Sequence, residues 1–135
     1  MTSTIRKQQG VMLLEALIGI LIFSIGVLAL VAMQAVAISQ TTDAKYRSEA
    51  AFLADRVIGN IWATRASNVP AIAAAWIAEI DGTSPAGPPR LPNVTGANAP
   101  TVVVAGNQIT VTVFWQAPGA STRSNHVAIS YLDFN

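Results

Sequence analysis

Hydrophobic positions are distributed unevenly along this chain. From Val11 to Met33 nearly every residue is apolar, Glu15 is the sole charge, and no further charge follows until Asp43. That run exceeds the roughly 20 helical residues needed to cross a bilayer core. After Gln40 the pattern becomes amphipathic. Ala50, Leu53, Ala54, Val57, Ile58, Ile61 and Trp62 follow the i, i+3, i+4, i+7 rule and form one stripe, while Asp43 with Arg47 and Lys45 with Glu49 are i, i+4 pairs suited to a wet face. No proline interrupts Val11 to Asn68, which predicts one helix through both regions, ended by Pro70. The stripe needs a partner, either a small sheet later in the chain or, less economically, a coiled-coil seam.

Beyond Pro70 the pattern predicts a short helix over Ala71 to Ile80, closed by Gly82. Residues 82–100 then hold five of the seven prolines and three glycines, which predicts a loop. Thr101 to Ala105 and Gln108 to Gln116 are β-rich runs separated by Gly106-Asn107, a two-residue hairpin signal. Ile109, Val111, Val113 and Trp115 alternate with Thr110, Thr112 and Phe114, giving one face to the helix and one to solvent. His126 to Leu132 is a third strand, with Val127, Ile129 and Tyr131 on one side. The expected fold class is α+β: a long N-terminal helix, membrane half followed by amphipathic half, packed on a three-stranded antiparallel sheet.

Composition sharpens this picture. Apolar residues make up 52% of the 135 residues and charged residues 11%, with a net charge of +1, so disorder and binding that relies on neutralising nucleic-acid phosphates are poor readings. Zero cysteines exclude a disulfide scaffold, a thiol nucleophile and a Cys-ligated metal. His126 is the only histidine, no acid cluster has metal-ligand spacing, and there is no G-x-x-x-x-G-K motif and no lysine after Lys45. No enzyme chemistry, nucleotide hydrolysis or cofactor is implied. Asn93-Val94-Thr95 matches the glycosylation sequon, a pattern too short to carry weight.

Arg6 and Lys7 are the only charges before Gly10 and place that flank in the cytoplasm, sending everything after Met33 to the far side. The eleven Leu, Ile, Val or Phe from Ala16 to Met33 favour insertion by about 5 kcal/mol, against roughly 3 kcal/mol for one carboxylate at the helix centre. A cleaved secretory signal is one alternative, because Ala35-Val36-Ala37 has the small-x-small form; such apolar regions are shorter and carry no acid. An uncleaved anchor is another, but it leaves Glu15 unexplained. A cut after Gly10 would supply a cation, since the new α-amino group on Val11 would be positive at neutral pH and one helical turn from Glu15. At about 4 Å and an effective dielectric near 20 that pair gains roughly 4 kcal/mol before desolvation. Gly19 and Gly26, seven apart on one face, either let helices approach closely or are the ordinary glycine content of a membrane helix.

Arg6-Lys7-Gln8-Gln9-Gly10 followed by Val11-Met12-Leu13-Leu14-Glu15 resembles the prepilin processing site of type IV pilins and type II secretion pseudopilins. The resemblance implies a 1–10 leader removed by prepilin peptidase after Gly10, N-methylation of Val11, and use of Glu15 in fibre assembly. Val11 stands where that family usually has phenylalanine. Ser24-Ile25-Gly26-Val27-Leu28-Ala29-Leu30-Val31-Ala32-Met33-Gln34 and Ile109-Thr110-Val111-Thr112-Val113-Phe114-Trp115 are similar to PilV-type minor pilins, and the lack of a proline before Pro70 and of any cysteine sets the chain apart from major pilins.

By that resemblance, residues 11–35 form the membrane and fibre-core half of the helix and residues 36–135 a periplasmic headgroup. The implied partners are the peptidase, the major pilin and other minor pilins through the N-terminal helix, a pilus-tip adhesin, and the inner membrane before assembly, with no nucleic acid. The expected role is a minor pilin that initiates or modifies pilus assembly. A minor pseudopilin of type II secretion is the alternative, and an uncleaved membrane-anchored periplasmic module the third.

Overall fold

A computed structural model describes residues 8–65, 67–85 and 87–132. Arg6 and Lys7 of the expected leader lie outside the described residues. The chain divides into two units, Met1–Thr41 and Thr42–Asn135.

The helix α1 (Gln8–Ala63) begins in the first unit. Every residue from Gly10 to Thr41 is exposed there, including Met12, Leu17, Phe23, Leu28 and Met33. A helix apolar on all sides, with none of its large side chains covered, is built for a medium or neighbour other than water. Its polar side chains do not open the backbone: the Ser24 hydroxyl donates to the Ile20 carbonyl and the Thr41 hydroxyl to the Ala37 carbonyl, each one turn back.

The second unit holds the end of α1, then α2 (Val69–Asp81), a 3₁₀ turn (Gly96–Asn98), and the strands β1 (Thr101–Ala105), β2 (Gln108–Trp115) and β3 (Ser124–Tyr131). The sheet is an antiparallel meander in the order β1-β2-β3, with Ala105 opposite Gln108 and Val111 opposite Ala128. Gly106, at φ 61°, takes the first central position of the hairpin loop, where a side chain would be strained.

The amphipathic stripe is satisfied inside the chain. Ala50, Leu53, Ala54, Val57 and Ile61 of α1 are fully buried in one cluster with Trp76 and Ile80 of α2 and Ile109, Val111, Val113 and Trp115 of β2. A sheet partner therefore accounts for the stripe, and a coiled-coil seam is not needed. Ile58 is half-buried at its flank. Trp62 departs from the expectation: it is 40% exposed, with its indole N–H donating to the Ser130 hydroxyl of β3 at 3.0 Å.

Several boundaries differ from those the pattern predicts. The long helix ends at Ala63, ahead of Asn68. There the Thr64 hydroxyl bonds the carbonyls of Asn60 and Ile61, and Arg65 turns left-handed at φ 49°. Pro70 opens α2 instead of ending α1, because its missing N–H costs nothing in a first turn, and the Asn68 side chain caps that turn by accepting from the Ala71 N–H. The second helix is thus longer than Ala71 to Ile80, while Gly82, left-handed at φ 77°, closes it as expected. Strand β2 stops at Trp115, since the Gln116 N–H turns to the Pro92 carbonyl, and β3 starts at Ser124, two residues before His126.

The 82–100 loop is more structured than its composition implies. Leu91 and Val94 are buried in the core, and Pro100 is buried too. Gly82 explains how the loop closes against α2, because a Cβ there would stand 2.6 Å from Pro89 Cδ and 2.8 Å from its backbone nitrogen. Neither expected i, i+4 pair occurs among the ion pairs of the described residues. Glu49 instead reaches Arg90 of the loop at 3.6 Å. Val127, Ile129 and Tyr131 do share a side, but it is the side facing away from the core.

Candidate functional site

The residues singled out for processing and assembly all lie at the start of α1. Gly10 and Val11 sit in its opening turns, and a Cβ built on Gly10 would meet nothing within 4 Å. Val11, Leu14, Glu15 and Ile18 line one shallow groove, as positions i, i+3, i+4 and i+7 must on a helix. Val11 is 66% exposed, and Glu15 is exposed with no hydrogen bond or ion pair among the described residues. Glu15 is the only charge on the helix between Gly10 and Asp43, so the groove combines a free carboxylate with three apolar side chains. Gly19 and Gly26 are equally open, with nothing within 4 Å of either added Cβ.

Helical spacing alone brings Val11 and Glu15 to one groove, while Gly10, in the same opening turns, does not line it. Because they lie within six positions of one element, no tertiary contact is required to assemble them. Chemically, the arrangement can present an acid to a cation within a low-dielectric setting, where the attraction is several times that in water. Among the described residues α1 is also the one helix long and apolar enough to cross a membrane, with a window of mean hydropathy 2.8 and none of it buried.

A second charged arrangement, in the other unit, was not legible in the sequence. Arg56 of α1 donates to Glu79 of α2 at 2.6 Å, Arg90 of the loop reaches the other Glu79 oxygen at 3.2 Å, and Arg90 also approaches Glu49. The hydrogen bond from the Arg56 guanidinium holds the Glu79 carboxyl below its ordinary value; partial burial opposes that, and the charges of Arg56 and Arg90 add to it. Separations of 23 residues for Arg56 and 11 for Arg90 give no periodic signal, so only the fold could reveal this clasp. Asp81 is likewise lowered, by the hydroxyl and then the backbone N–H of Thr83, a local turn after α2. Behind the clasp, the Trp76 indole N–H donates to the Leu53 carbonyl at 3.0 Å, so the buried ring brings its own partner to the core.

The remaining candidates have structural positions. His126 lies in β3 opposite Val113, half-buried, as a strand residue. Asn93 of the sequon turns left-handed at φ 53° and donates its amide to Gln116 at 2.9 Å. No group of three or more His, Cys, Asp or Glu with metal-binding geometry occurs among the described residues. No family model, curated protein or solved structure matches the chain.

Proposed function

We propose that this protein is a prepilin-type subunit, stored in the bacterial inner membrane and used as a minor pilin in type IV pilus assembly, acting by assembly and without catalysis. The observation that carries the reading is Glu15: a lone acid on an otherwise apolar, uncovered helix, one turn after the residue that would become the N-terminus. A plain anchor gains nothing from such an acid and loses insertion energy by it. An assembling helix gains a partner for the Val11 amine, its own or a neighbour's.

The division of labour along the chain supports this. The first part of α1 exposes all its large apolar side chains, so its stabilising contacts must come first from lipid and then from neighbouring helices. The second part buries its stripe within its own headgroup, which would remain folded while the first part exchanges one apolar surrounding for another. In this role prepilin peptidase cuts after Gly10 and methylates Val11, the headgroup stands in the periplasm, and the N-terminal helix meets the major pilin and other minor pilins.

Intact mass spectrometry on the protein from purified envelopes tests the reading. The expected chain starts at Val11 and carries one extra methyl group. A chain starting at Met1, Thr2 or Ile38 would refute it, and a start at Met1 would favour the uncleaved anchored module.

A further inference from the structure

In the uncleaved chain the Val11 nitrogen is a peptide N–H and carries no charge, so the ammonium that the fibre reading gives to Glu15 exists only after processing. Any cation that meets the acid in the stored precursor comes from elsewhere. Glu15 is the only charge between Lys7 and Asp43, and Lys7 and Arg6 precede it by eight and nine positions, about twice the spacing at which side chains pair along a helix. It has no hydrogen bond or ion pair among the described residues.

Glu15 lies beside surface shaped for hydrocarbon. Val11, Leu14 and Ile18 share its groove of about 290 Å³, with Leu14 59% and Ile18 49% exposed. Four positions further along the row of Val11 and Glu15 stands Gly19, where an added Cβ would meet nothing within 4 Å. The helix therefore has a notch one turn beyond the acid, ~6 Å further along at ~1.5 Å per residue. Side chains on a helix lean toward its N-terminus, so the Glu15 carboxylate leans back toward Val11 and away from the notch. From the start of the apolar run inward, this face presents a carboxylate and then apolar walls beside a gap.

We propose that in the uncleaved chain this face seats a phospholipid that carries a primary ammonium, of the phosphatidylethanolamine type, with its ammonium on the Glu15 carboxylate and an acyl chain in the notch at Gly19. The inference rests on the reading above, which places this end of α1 at the cytoplasmic face of the membrane. Charge complementarity selects the occupant: a lone acid at the edge of an apolar span lies at the level of the lipid headgroups, and a primary ammonium brings it both an opposite charge and N–H donors. Such charge-assisted hydrogen bonds are about twice as strong as neutral ones. The quaternary ammonium of a choline lipid has the same charge and no donor, so it cannot make them. Seating the acyl chain at Gly19 covers Leu14 and Ile18 on the same face, which adds apolar contact without a further polar group. Cutting after Gly10 brings a rival ammonium one helical turn from the same carboxylate, so the lipid holds the place that the Val11 amine later takes.

The test uses the full-length chain, produced in a host without prepilin peptidase so that it stays uncleaved. It is placed in vesicles of equal parts dioleoyl phosphatidylethanolamine and dioleoyl phosphatidylcholine, and the lipids it retains are counted by native mass spectrometry. Both lipids have the same acyl chains, so a difference between them reports the headgroup. The wild-type chain should retain the ethanolamine lipid over the choline lipid by about tenfold. Glu15→Gln, which keeps the shape and removes the charge, should bring that ratio close to one, and Gly19→Leu, which fills the notch, should lower retention of both lipids. Equal retention of the two lipids by the wild-type chain would overturn the proposal in favour of a hydrated acid that reaches the membrane surface unaided. A preference that survives Glu15→Gln would place the lipid elsewhere on the chain, and retention unchanged by Gly19→Leu would refute the seat for the acyl chain. Intact mass from native envelopes separates this from the pilin reading: a chain starting at Val11 there, with no headgroup preference in the vesicles, refutes only the lipid site, and an unprocessed chain with a Glu15-dependent preference refutes only the pilin reading.

Discussion

Replacing Leu53 by alanine measures whether the helical stripe stabilises the headgroup from within. Leu53 is fully buried, at the centre of the stripe and in one cluster with Trp76, Ile109 and Val111. The substitution removes three carbons, worth ~2.4 kcal/mol at ~0.8 kcal/mol for each buried methylene. A residual cavity of ~40 Å³ at ~24 cal/mol per Å³ adds ~1 kcal/mol, for a total near 3 kcal/mol, within the range of roughly 2 to 5 kcal/mol found for buried leucines. The Trp76 bond to the Leu53 carbonyl is to backbone and survives the change. Urea titration of the fragment 36–135, which carries every core residue, reads the loss through the fluorescence of the buried Trp76 and Trp115. With a slope of about 1.5 kcal/mol per molar, the midpoint falls by about 2 M. Phe52→Ala is the control, one position away on the same helix but 57% exposed, and should stay within about 0.5 kcal/mol. A Leu53→Ala loss under half a kcal/mol, or one no larger than that of Phe52→Ala, would mean that the stripe faces something outside the chain.

Three further outcomes are expected. Glu15→Ala should leave the chain membrane-bound and cleaved after Gly10, since eleven large apolar residues dominate insertion, yet absent from sheared fibres; immunoblots showing it there at wild-type level would refute its assembly role. Glu79→Gln should cost about 0.5 to 1 kcal/mol at neutral pH, modest because both partners are partly solvated and Arg56 Nε is buried without a partner. Because the folded-state value of Glu79 is lowered from 4.5, its contribution is full above that pH and lost as pH falls through the folded value, so wild-type and variant urea midpoints should converge in acid; a gap unchanged from pH 7 to pH 2 would refute the pairing. Gly82→Ala should destabilise more than Gly119→Ala in thermal melts, because both positions have positive φ, costing about 1 to 2 kcal/mol, but only at Gly82 does the new Cβ strike the backbone of Pro89. Equal losses would mean that the loop moves aside freely.

Much of this protein was legible in its sequence because its strongest signals are local. The apolar run, the spacing of Gly10, Val11 and Glu15, the stripe from Ala50 to Ile61, the Gly106-Asn107 hairpin and the alternation along β2 each depend on helix or strand periodicity within one element. Residues close in sequence on a regular element have fixed positions relative to one another, so no tertiary contact was needed to place them. Helix ends were harder to read. Pro70 breaks a helix interior but suits a first turn, and only the left-handed turn at Arg65 and the Asn68 cap decided which role it takes.

The tertiary structure decided whatever depends on chain segments meeting from afar. Leu91 and Val94 look like loop residues by composition, yet the core closes over them because the left-handed Gly82 lets Pro89 approach α2. Glu79 finds Arg56 and Arg90 across 23 and 11 positions, and Arg90 also reaches Glu49, pairs that helix spacing does not signal. The alternation of β3 was visible, but not which of its faces meets the core: a two-residue period fixes sides relative to each other, and only the register with β2 turns Val127, Ile129 and Tyr131 outward.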